Sequence, residues 1–115
     1  MKYLLLAITM LVAAPLASAD ARFCGVVVRK ATVPHDIIRS SAVKADFKKQ
    51  WPCLTCWPST MWQIDHIIPL VCGGCDSVEN MAWMPIAIKT CAGTVCKDRW
   101  EQQVYCTRPI VTIYR

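Results

Sequence analysis

Residues 64–81 read IDHIIPLVCGGCDSVENM, and this stretch decides the fold. The chain is apolar from Met61 to Leu70, Pro69 ends a strand or extended bend, and Gly73-Gly74 permits a tight reversal. Residues Val78 to Met84 then read as the returning strand. An Asp-His pair near the end of the first strand suits acid-base chemistry. A carboxylate can face a metal ion while the imidazole beside it takes a proton from water. The cysteines at 72 and 75 flank the reversal, so the same stretch can also be read as a stapled hairpin.

The ends of the chain bound the context. Lys2 precedes the apolar run YLLLAITMLVAAPLA, which closes on Ala17-Ser18-Ala19. This pattern predicts a signal peptide over residues 1–19, cleaved before Asp20, and hence an exported protein, periplasmic or secreted, with no stable membrane insertion after cleavage. Residues 20–115 then leave room for one domain with a small core. Loss of Lys2 lowers the formal charge from +5 to +4, compatible with a polyanionic partner such as nucleic acid.

All eight cysteines lie beyond residue 19, an even number that in an exported domain predicts disulfides. Cys53-x-x-Cys56 and Cys72-x-x-Cys75 are fifteen residues apart, which also matches a structural four-cysteine zinc site, and spacing leaves that choice open. Cys24 and Cys106, near the two ends, are a guess for one long-range bridge.

Around the hairpin, FCGVVVRKATV (23–33) reads as a strand that breaks at Pro34. SSAVKADFKKQW (40–51) reads as a short amphipathic helix capped by Ser40 or Ser41, with Val43 and Phe47 inward and Lys44 and Lys48 outward. WPCLTCWPST (51–60) is a loop, and IAIKTCAG (86–93) is ambiguous between strand and helix. Thr94 is placed to cap a final helix with Cys96, Trp100 and Val104 as its buried stripe, followed by a tail. Most of the five tryptophans are expected in the core or on disulfides, and Lys44, Lys48 and Lys49 suit either a phosphate track or a solvated face.

The segments DHIIPLVCGG, ENM and KDRWE, spanning about residues 62–101, together resemble the HNH nuclease family, and RSSAVKADFKKQWPC resembles the lead-in of small members. The resemblance implies an α+β, cysteine-rich domain built around a ββα-metal hairpin-helix core. It implies His66 as general base, Asp65 as ligand of a divalent ion (Mg²⁺ first, with Mn²⁺, Ni²⁺ or Zn²⁺ as alternatives), and Asn80 as hairpin brace or second ligand. The family's third position, commonly His, Asn or Lys near the helix start, has no histidine here. Lys97 is favoured as a phosphate contact, with Lys89 or Asp98 as alternatives. The function so implied is a metal-dependent endonuclease acting on DNA, with RNA as an alternative substrate, and with little sequence preference. A catalytically silent disulfide-rich binding module is the competing expectation, and a cysteine-based redox or zinc protein is a third.

Overall fold

The computed structural model describes residues 20–90 and 96–115. The expected leader (1–19) and the expected helix cap Thr94 lie outside the described residues. In chain order the elements are β1 (Val26–Arg29), α1 (Ser41–Gln50), β2 (Trp62–His66), β3 (Met81–Pro85), α2 (Ile86–Lys89), α3 (Lys97–Tyr105) and β4 (Val111–Tyr114). The chain is therefore α+β and disulfide-rich, and among the described residues no helix is long and apolar enough to cross a membrane.

The expected hairpin forms, but its strands are shorter than the apolar runs: β2 stops at His66 instead of reaching Leu70, and β3 begins at Met81 instead of Val78. Strands β2 and β3 pair antiparallel, from Trp62 opposite Pro85 to His66 opposite Met81. The reversal depends on two glycines. Gly73 has φ +87°, a conformation that side chains resist, and a Cβ on Gly74 would lie 2.0 Å from the Ile68 carbonyl oxygen. Inside the loop, the fully buried Asn80 spends its carboxamide on backbone. Its Oδ1 accepts from Ile68 N at 2.8 Å, and its Nδ2 donates to the Ile68 and Cys75 carbonyls at 2.9 and 2.8 Å. These bonds satisfy loop groups that neither strand can reach.

Helix α1 begins as the capping pattern predicts. Ser40 is extended and its Oγ accepts from Val43 N at 3.2 Å. Phe47 is buried while Lys44 and Lys48 face solvent. Lys48 and Lys49 in the last turn complement the helix dipole. The ambiguous segment after Pro85 resolves into the one-turn helix α2.

The cysteines tie the reversal outward. Cys75 bonds to Cys24, Cys72 to Cys106, and Cys53 to Cys56, and Cys96 is also disulfide-bonded. The guessed Cys24–Cys106 bridge is thus incorrect, and the four cysteines that matched a zinc spacing are divided among three disulfides. Backbone bonds reinforce this docking, because Cys24 N and Gly25 N both donate to Gly73 O, and Cys75 N donates to Arg22 O. The expected tail is a strand instead: β4 pairs in parallel with β1, which is shorter than the predicted run. The β-branched run at residues 110–113 has the propensity for it, and the Cys72–Cys106 bond brings it within reach.

The core is small, built from Val27, Phe47, Ile68, Leu70, Met81 and half-cystines, with Asp65, Asn80 and Lys97 buried among them. The tryptophans depart from expectation. Trp51, Trp57 and Trp100 are exposed, Trp57 at 86%. So few apolar interior positions cannot absorb five indoles.

Candidate active site

Asp65 and His66 end β2 and leave it in different directions, as strand alternation requires. His66 turns towards α1. Its Nε2 lies 3.0 Å from Asp76 Oδ1, and Asp76 Oδ2 accepts the Ser40 backbone N–H at 2.5 Å. The residue that caps α1 thus also orients the carboxylate that holds the imidazole. A carboxylate can only accept, so it places the proton of a neutral ring on Nε2 and leaves the Nδ1 lone pair for an incoming proton. Asp76 was not singled out from the sequence. The available signal was an acidic side chain in the reversal itself, ten residues beyond His66.

Asp65 turns towards the helices. It is 5% exposed; Lys89 donates to its Oδ1 and Lys97 to its Oδ2. Lys97, 4% exposed, also donates to the His66 carbonyl at 2.6 Å and lies 3.0 Å from Glu101 Oε2. Two hydrogen bonds and one ion pair thus surround its ammonium group. Lys89 is more open and has Asp98 as a second, looser partner at 3.4 Å. Burial works against ionisation of Asp65, but the lysine hydrogen bonds outweigh it and hold the carboxyl below the ordinary range. Burial likewise works against the charge on Lys89, yet Asp65, Asp98 and Glu101 raise its affinity for the proton.

This cluster sets the register of α3. Of the predicted apolar stripe, Cys96 is buried as expected, but Trp100 and Val104 are exposed. The helix instead turns Lys97, Glu101 and Tyr105 inward, one residue further on. Charge pairing with Asp65 outweighs the burial of one Trp and one Val, because an unpaired charge in this place would be far more costly.

Two adjoining cavities flank the strand end. One, of about 230 Å³, is lined by Arg39, Lys44, Lys89, Asp65, His66 and Asp76, among others. The other, of about 110 Å³, shares Arg39, Asp65, His66 and Lys89 and adds Glu101. Lys89 is paired with Asp65, but Arg39 and Lys44 add two further cations to the larger cavity against the one remaining carboxylate, Asp76, and this favours an anionic ligand.

The structure gathers Asp65, His66, Lys89, Lys97 and Asp98 at one end of the hairpin, but their roles shift. Asn80 is a fully buried brace, with both Nδ2 hydrogens donated and Oδ1 accepting from Ile68 N, which matches the first of its two expected roles. Lys97 is buried and ion-paired, which does not fit a phosphate contact, whereas Lys89 retains donor capacity beside the cavity. A divalent ion at Asp65 would have to displace two ammonium groups and remain next to them. Among the described residues, no three His, Cys, Asp or Glu side chains converge as a ligand set. These donors do not fit the expected ion. No protein-family model matches the chain, and no curated protein or solved structure is significantly similar to it.

Proposed function

We propose that the chain is an exported endonuclease of HNH type that hydrolyses phosphodiester bonds in nucleic acid with little sequence preference. The observation that carries this reading is the Ser40–Asp76–His66 relay, an oriented imidazole at the rim of a cation-lined cavity. In the proposed step, His66 takes a proton from water as its oxygen bonds to phosphorus. The bond from phosphorus to the leaving oxygen breaks, and that oxygen takes a proton from solvent. Arg39 and Lys89 offset the charge that builds on the phosphoryl oxygens. Asp65 and Lys97 fix the strand end from behind, and Asn80 holds the loop that carries Asp76. The resemblance of the DHIIPLVCGG and ENM segments supports the same assignment of His66. Export draws support from the leader-like first nineteen residues and from disulfides, which persist in oxidising compartments.

The test is nicking of supercoiled plasmid and cleavage of single-stranded DNA and RNA by the oxidised protein, in EDTA and with added Mg²⁺, Mn²⁺ or Ni²⁺. Cleavage that His66→Ala removes is the expected result, and cleavage unchanged in that variant overturns the assignment. Activity found only with added metal would show that the lysine clamp on Asp65 opens in the working enzyme. One observation favours a second reading, a catalytically silent binding module: the motif's acid is fully ion-paired. Binding without cleavage under every condition would select it.

A further inference from the structure

Beside the cavity that holds His66 runs a second groove of about 310 Å³, lined by Lys44, Lys48, Ser59, Trp62, Gln63 and Trp83, among others. Lys44, Gln63 and Ile64 line both spaces, so the two form one track from Lys48 to His66. Among the described residues, no acidic side chain lines the groove. Its cations are one helical turn apart and exposed, on the outer row of α1. Opposite them stand two indoles. Trp83 is held in place by Phe47, whose ring centre is 5.8 Å away, and by donation from Nε1 to the Trp51 carbonyl at 2.6 Å. Gln63 also borders both spaces as part of β2, although its side chain falls on the strand face of Asp65, opposite that of Trp62 and Ile64.

From these features we infer that the groove binds an unpaired nucleic-acid strand, with a base on the Trp62–Trp83 wall and phosphates on Lys44 and Lys48. Indole faces are useful only to a base released from its partner, because a paired and stacked base presents its edges. Lysines along one side and aromatics along the other match the two surfaces of a single strand. The inference rests on the proposed nuclease reading only for its direction, which leads the strand from Lys48 to the scissile phosphate at His66.

The test measures fluorescence anisotropy of labelled 12-nucleotide single-stranded DNA, single-stranded RNA and duplex DNA, using the full oxidised chain carrying His66→Ala so that no probe is cut. Single strands are expected to bind about tenfold or more tighter than duplex, and Trp62→Ala to weaken them by about tenfold. Lys44→Ala with Lys48→Ala should lower the slope of log affinity against log salt by roughly 1.4, the value for two phosphate contacts on a single strand. Equal affinity for duplex, or single-strand binding indifferent to all these changes, overturns the groove. If Trp62→Ala does not fold, Lys44→Glu with Lys48→Glu, both at exposed positions, carries the test, and unchanged binding in that protein is equally fatal. Tight, groove-dependent binding by a wild-type chain that never cleaves would sink the nuclease reading and leave the groove standing. Cleavage without groove dependence does the reverse. The DNA and RNA arms report which sugar the strand carries.

Discussion

Asp65 and His66 are adjacent in sequence, yet their surroundings differ in kind. Both border the same two cavities, but His66 is held through one nitrogen by a single carboxylate, which a backbone N–H orients. Asp65 is buried beneath two lysines from two helices, with both oxygens engaged. The first arrangement keeps a proton acceptor oriented without consuming it. The second consumes a charge to lock α2 and α3 against the hairpin. The Asp-His pair therefore contains one residue suited to chemistry and one suited to assembly, and strand alternation separates them.

The sharpest way to break this contrast is to neutralise Asp65. Asp65→Asn leaves Lys97 and Lys89 without their shared partner, and Lys97→Met leaves Asp65 and Glu101 with one ammonium fewer. Each is expected to cost ~3–5 kcal/mol of stability, which corresponds to a fall in Tm on the order of 15 °C or more in a domain of this size. An unaltered Tm together with lost cleavage would return Asp65 to the catalytic side of the comparison. His66→Ala should do the opposite, leaving thermal unfolding nearly unchanged while cutting cleavage by about 10²–10⁴-fold. Asp76→Asn should lower cleavage in the same direction by releasing the ring from its tautomer, and Asp76→Glu should rescue part of it.

Asn80→Ala probes the loop that both residues depend on. It leaves the Ile68 N–H and two carbonyls unsatisfied inside the protein and should cost ~2–4 kcal/mol in denaturant unfolding. The smallest effect is the response to pH. The carboxyl of Asp65 sits below its ordinary range, so its stabilising contribution is present above an unfolded pKa of about 4 and is lost as pH falls through the lower folded value. The pKa of Lys89 is raised, so its contribution is present below about 10.4 and is lost as pH rises through the higher folded value. A Tm profile level between these limits is expected, with an acid limb that Asp65→Asn flattens. An acid limb unchanged in that variant would separate Asp65 from the pH response.

The contrast also separates what could be read along the chain from what could not. The hairpin, the Ser40 cap and the Gly73-Gly74 reversal follow from apolar runs bounded by Pro69, from capping chemistry and from the backbone freedom of glycine. All are local rules, with causes a few residues away. The register of α3 was misjudged because counting apolar positions gives Trp100 and Val104 the inward face, while the contact that decides it lies across the fold at Asp65. Strand β4 looked like a tail because its partner stands at the other end of the described chain. Even cysteine number pointed to disulfides, but connectivity depends on which backbones meet, and Cys72 and Cys75 reach different terminal segments.

The resemblance left Asn80 as brace or ligand, while the chain itself specified a hairpin that carries an Asp-His pair and has a glycine-containing loop. Residue types, spacing and backbone sterics were sufficient for that. Only the tertiary structure decided that Asp76 would be the partner of His66, that Lys97 would be buried and Lys89 left at the cavity, and that Asp65 would assemble the domain. Those outcomes depend on which charges meet in a poorly solvated space, where an unpaired ion is costly enough to override local preference.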